Sequence, residues 1–276
     1  MRFTLTDLVT SILLVLLIGA LGLTAGNELA ETDRRAQCAM NLRQVGMAML
    51  LYANENRGSY PRVRYNAKSP KPVWGTPYNK NKDLHANNAS DPFADKKDEQ
   101  LGKYAPAAND ITAALFLLLR TEDLTSTVFV CPSTLQEYWN FGGGEWSALH
   151  WTNFAGDTVI ANHLSYSFQN PYPTQEALEN GFRFNNALPE NFAVASDMNP
   201  GVSAVLKVKD GSSEEETKAA NSLNHFRDGQ NVLYADGHIE FKTNCLAGMD
   251  GDNIFAYGKP AEGGEKANYG IVGAPA

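Results

Sequence analysis

FTLTDLVTSILLVLLIGALGLTAGNELAETDRRAQCAMNLRQVGMAMLLYANENR, residues 3–57, has the makings of one long helix around which the rest of the chain must be arranged. It contains no proline, and its only glycines are at 19, 22, 26 and 46. From Leu8 to Asn27 it carries no charge, and Leu8 to Ala25 is an apolar run of 18 residues. As a helix that run would be about 27 Å long, close to the thickness of bilayer hydrocarbon. It is apolar on every side, unlike a surface helix. A cleaved secretory signal would use Arg2 as its basic region and a small-residue site near Thr24-Ala25-Gly26, whereas an anchor would be kept. From Arg34 the pattern becomes amphipathic, with Cys38, Leu42, Val45, Met49 and Tyr52 at steps of four and three on one helical face. Gly58 as C′ residue and Pro61 beyond it predict an end near Arg57.

Outward from this helix the text changes. Residues 61–109 are polar and proline-rich, and read as a long irregular excursion. Asp110 reads as the N-cap of a helix, ITAALFLLLRTEDL. Val128 to Val130 reads as a short strand, Leu164 to Gln169 as another, and Asn191 to Asp197 as a buried strand. Lys207 to Ala219 reads as a charged loop, with Glu214, Glu215 and Glu216 on a solvated face. In NHFRDGQNVLYADGHIEF, Asn231 to Tyr234 and His238 to Phe241 are strands about the Asp236-Gly237 turn. The expected class is α+β: a long N-terminal helix, membrane half plus amphipathic half, packed on a mostly antiparallel β-sheet with long loop insertions. The expected division is 1–27 membrane-spanning, 28–60 amphipathic continuation, 61–260 globular, and 261–276 a loose tail.

Composition bounds function. The chain has 276 residues, 43% hydrophobic and 20% charged, which is globular rather than disordered. A net charge of −8 repels phosphate backbones, so no nucleic-acid partner is expected. No hydrolase elbow, phosphate loop or HExxH motif is present, and no enzyme activity is expected. Cys38, Cys131 and Cys245 form no CxxC pair; two of them pair in an oxidising compartment, or all three are buried small hydrophobes. The polar set Asp197, His225, Asp236 and His238 reads as a hydrogen-bonded set fixing turns, as a metal site, or as a catalytic group. The aromatic stretch 134–175, with Trp146 and Trp151, reads as a hydrophobic cluster under loops or as a glycan-stacking surface.

Phe3-Thr4-Leu5-Thr6-Asp7-Leu8 resembles the type IV prepilin signature, in which Phe opens the mature chain and an acidic residue stands fifth. Arg2 occupies the place where that family usually has Gly, and Asp7 the place of its usual Glu. After the apolar run, Arg35, Cys38, Asn41, Leu42, Gln44, Tyr52, Gly58, Tyr60 and Pro61 resemble the post-membrane segment of a pseudopilin-like family. Cys131-Pro132-Ser133 resembles an element of the same family, and Cys38 and Cys131 are the pair to test first for a disulfide. His225 to His238 resembles that family's C-terminal element of His, nine residues, then Asp-Gly, here with ten residues intervening. The resemblance implies cleavage between Arg2 and Phe3 by a prepilin peptidase and methylation of Phe3. It implies Asp7 as the charge partner of a neighbour's amine, because a lone carboxylate in hydrocarbon is costly. It further implies other pilin-like subunits as partners, and a single pass through the inner membrane with the bulk periplasmic. The expected role is structural, in a type II secretion or type IV pilus-like system, without a required cofactor; calcium near the C-terminus is the one metal the resemblance suggests. The rival expectation is an anchored glycan-binding protein that does not polymerise.

Overall fold

The computed structural model describes residues 4–67, 72–73, 93, 106–141, 148–154, 162–256 and 271–272. For residues 7, 18–27, 150 and 271–272 it describes the backbone only, so Arg2, Phe3 and the Asp7 side chain lie outside the described residues. The fold is α+β, built on one helix, α1 (Leu5–Glu55), and an antiparallel sheet. The other helices are α2 (Ile111–Thr121), α3 (Gln175–Glu179) and α4 (Glu214–Ala220). The strands are β1 (Tyr166–Gln169), β2 (Ala193–Asp197), β3 (Gln230–Tyr234), β4 (Ile239–Lys242) and β5 (Ile271–Val272), in the spatial order β4-β3-β2-β1-β5.

The second half of α1 lies on the sheet through the face its periodicity marks: Cys38, Leu42, Val45, Met49 and Tyr52 are all buried. They join Phe116, Phe129, Tyr166, Phe168 and Leu233 in the main core. Gly46 lets the helix lie close on β3, since a Cβ there would stand 2.9 Å from the Leu233 side chain. Period two on β3 sends Leu233 to this core and Val232 and Tyr234 to a second cluster with Val205, Cys245 and Phe255 on the other face. The sheet is therefore covered on both sides. Asp110 caps α2 by accepting from the Ala113 N–H, as its position before the apolar run predicts.

The helix end differs in detail from the expectation. The Gly58 N–H donates to the Ala53 carbonyl at 2.8 Å, and Arg57 has φ +56°. That is the bond of a Schellman ending, with Arg57 rather than Gly58 in the C′ position. Three expectations are corrected more broadly. Residues 126–129 form a 3₁₀ turn, not a strand: Val128 and Val130 donate back to Thr125 and Thr127, and no neighbouring strand pairs with them among the described residues. Glu214, Glu215 and Glu216 lie not in a loop but in α4, closed by a capping box between Ser213 and Glu216. In the stretch expected to be a loose tail, Ile271–Val272 pair with β1; the remainder of 261–276 lies outside the described residues.

At the N-terminal end, α1 presents bare apolar side chains: Leu13, Leu14, Val15 and Leu16 are each about 60% exposed or more. Among the described residues no helix is long and apolar enough to cross a membrane. The expected span Leu8 to Ala25 runs into residues 18–27, whose side chains lie outside the described residues.

One glycine fixes the sheet's entrance. A Cβ on Gly229 would fall 2.4 Å from the Lys242 carbonyl oxygen and within 2.9 Å of the Phe241 ring. The oxygen is backbone within the β3–β4 ladder and cannot swing aside. Gly229→Ala is expected to lower stability by about 3 kcal/mol, the upper part of the overpacking range. Chemical denaturation checks this; a change below about 1 kcal/mol would mean the hairpin adjusts freely.

Candidate functional site

The most concentrated polar chemistry lies where α1 crosses the ends of β2 and β3. Asp197 ends β2 and His225 precedes β3; both are fully buried. A residue that no motif in the sequence marks completes the group: Glu31 of α1, only 8% exposed. His225 lies between the two acids, with Nδ1 2.7 Å from Glu31 Oε1 and Nε2 3.2 Å from Asp197 Oδ2. An imidazolium donates to both carboxylates at once.

Each acid has further donors. Asp197 accepts from the Asn224 side-chain amide at 3.0 Å, the Asn231 backbone N–H at 2.6 Å and the Asn231 side-chain amide at 3.2 Å. Glu31 accepts from Ser133 Oγ at 3.0 Å and from Arg34 Nε at 3.1 Å. Arg35 stands 3.7 Å from Glu31 and 2.6 Å from Asp228, and lies over the Phe241 ring. The cluster joins residues 194 apart in the chain and holds α1 to the sheet.

Beside it, Cys38 on α1 and Cys131 are joined as a disulfide, and Cys131 Sγ lies 3.9 Å from His225 Nε2. The Cys131-Pro132-Ser133 element therefore supplies both a sulfur bridge to α1 and a hydroxyl donor to Glu31. The third cysteine, Cys245, is buried in the second core cluster, and burial pushes its thiol up to about 11.

The four-residue polar set is split in two. Asp197 and His225 meet, whereas Asp236 and His238 pair with each other at 2.5 Å on the exposed β3–β4 turn. The length of β3, about 17 Å for five residues, lies between the pairs. The Lys218 ammonium, then Arg35, holds the Asp228 carboxyl below the usual range. The extra residue before Asp-Gly lies in a turn in which Asp228 N–H donates to the His225 carbonyl, with positive φ at Phe226 and Arg227. Both positive φ values are those of a type I′ turn.

Burial lowers the His225 pKa, but the Asp197 hydrogen bond and charge, followed by those of Glu31, outweigh it and raise the net value above 6.5. A raised folded-state value makes this contribution complete below the unfolded value, about 6.5. It is lost as pH rises through the folded value. With the disulfide intact, denaturation midpoints should therefore fall from about pH 6 to pH 9, and His225→Gln should flatten that dependence. A wild-type profile identical to that of His225→Gln would contradict the charged state.

In the aromatic stretch, Trp139 is buried and meets Trp151 edge-on at 5.0 Å, as well as His163 and Phe141. Trp151 thus belongs to an aromatic cluster, and Trp146 lies outside the described residues.

The architecture is that of an α+β protein whose N-terminal helix is fastened to an antiparallel sheet by a buried acid–imidazole–acid group and a disulfide. The chain belongs to the SBP_bac_10 family, described as protein of unknown function (DUF1559), whose profile matches residues 30–217. That span contains Glu31, Cys38, Cys131 and Asp197 and ends before His225. No curated protein and no solved structure matches the chain.

Proposed function

We propose that the protein is a membrane-anchored, pilin-like structural subunit or accessory of a type II secretion or type IV pilus-like system. The observation that carries this reading is the surface of α1. Leu8, Val9 and Ile12 to Leu17 are all exposed apolar side chains. Fully burying one such residue is worth about 1.5–3 kcal/mol, so eight of them half-bared cost on the order of 10 kcal/mol in water. Lipid or a neighbouring helix must cover them. Beyond the apolar run, Leu29, Met40, Met47 and Leu51 remain 69%, 62%, 58% and 55% exposed. Steps of eleven, seven and four place them within about 40° of one helical direction, opposite the face on the sheet. A stripe continuing the apolar run suits lateral packing of α1 helices.

In this reading α1 passes once through the inner membrane and the sheet lies in the periplasm. Prepilin peptidase cuts between Arg2 and Phe3, Phe3 is methylated, and Asp7 meets a neighbour's amine. The role is mechanical rather than catalytic. Met47→Cys, in native membranes with a short bis-maleimide, should give cross-linked dimers and higher ladders, while Leu206→Cys on the far face of the sheet should not. Equal cross-linking at both positions, or none at Met47→Cys, would sink the packing.

One observation favours a second reading, glycan binding without polymerisation. A cleft of about 770 Å³ is lined by Gln37, Asn41, Gln136, Tyr138 and Asn140. Amides around an exposed Tyr138 ring suit a sugar's hydroxyls and apolar face. Glycan-array binding abolished by Tyr138→Ala would support it, and a blank array would remove it.

A further inference from the structure

Four atoms able to hold a metal converge beneath α1. The Cys38 and Cys131 sulfurs, an Asp197 carboxylate oxygen and a His225 ring nitrogen lie within 4.8 Å of one another, and all four residues are buried. We propose that, in the dithiol form of the chain, Cys38, Cys131, Asp197 and His225 bind one Zn²⁺. The structure holds the sulfurs in a disulfide, so this is a site of the chain before its cysteines are oxidised, or after a dithiol reductant has returned them to thiols.

The donor set selects the ion. Two thiolates, one imidazole and one carboxylate make a four-coordinate sulfur-rich set of the kind Zn²⁺ takes. Zn–S bonds of about 2.3 Å place two thiolates about 3.8 Å apart on a tetrahedral ion, a small opening from bonded sulfurs. Calcium, which takes six to eight oxygens, is excluded by the sulfurs and by the single carboxylate.

The surroundings are those a zinc ligand requires. Glu31 Oε1, 2.7 Å from His225 Nδ1, accepts a hydrogen bond from Nδ1–H and so keeps that proton in place, and once Nε2 has lost its own proton its lone pair faces the sulfurs. Asn224 and the Asn231 backbone N–H orient the Asp197 carboxylate. Binding releases one proton from each thiol as its sulfur bonds the ion, and the Nε2 proton of the His225 imidazolium as that nitrogen does. The disulfide and metal forms exclude each other, because each sulfur bonds either its partner or the ion.

The test uses the full-length chain in detergent. After anaerobic reduction with a phosphine and removal of metal, Zn²⁺ is titrated in, and Co²⁺ in parallel for its thiolate charge-transfer and tetrahedral visible bands. The expected result is one ion per dithiol chain, none in the disulfide chain, and loss of the thiolate band in Cys131→Ser. Glu31→Gln should weaken Zn²⁺ by about 10- to 100-fold as an outer ligand, and Asp197→Asn by more. Should Asp197→Asn fail to fold, as circular dichroism would report, the wild-type pair of redox forms still decides. A folded dithiol chain that takes up no ion, or a Cys131→Ser chain that binds as wild type does, overturns the proposal. Neither result depends on whether the protein assembles into a filament.

Discussion

Replacing His225 with alanine is expected to destabilise the folded chain by about 3–5 kcal/mol, the cost of removing one partner from a buried ionic group. Two carboxylates, Glu31 and Asp197, would then share a dry site without the cation between them. The loss exceeds that of a cavity alone, because the remaining charges must be neutralised or hydrated. A double-mutant cycle separates the effects. In a Glu31→Gln background the same replacement should cost about 1–3 kcal/mol less, since one of the stranded charges is gone. Chemical denaturation at neutral pH gives both values. Additive costs would mean that His225 and Glu31 are neighbours without coupling.

Removing the disulfide should rival that effect. Cys38 and Cys131 are 93 residues apart, and closing a loop of that size restricts the unfolded chain by about 4.7 kcal/mol in the chain-entropy description. The paired Cys38→Ser and Cys131→Ser variant is expected to lose about 4 kcal/mol, and reduction of the wild type in metal-free solution should lose a similar amount. A loss below about 1 kcal/mol would show that the bridge adds little to what the core already holds. Because the bridge and the Glu31–His225–Asp197 group both fasten α1, combining the Cys131→Ser and His225→Ala changes should release the helix from the sheet. Proteolysis between Glu31 and Cys38 would then appear where the wild type is protected.

The α1 packing face was readable in the sequence because a helix buries residues by period, and Cys38 to Tyr52 repeat that period without interruption. The β3–β4 hairpin was readable because Asp236-Gly237 is a turn signal with a mechanism. α4 was also written in the chain, as Ser213 with Glu216 three residues on, but the run of acids outweighed the capping signal. Residues 126–129 misled because a short apolar run does not distinguish a strand from a buried turn. The site was half legible. Asp197 and His225 stood out as polar residues beside apolar strands. Glu31 did not, because nothing near it in sequence shows that its partner lies 194 residues away. Burial of a carboxylate is decided by who meets it, not by its neighbours in the chain. The same holds for Asp236 and His238, which sequence proximity grouped with His225 and the length of β3 separates.

The proposed function turns on what happens to the chain ahead of α1, and mass spectrometry of its N-terminus, on protein taken from native membranes, tests this most directly. A mature chain beginning at Phe3 with a methylated amine is the expected result. A chain beginning near Gly26, or one still carrying Met1, would contradict it.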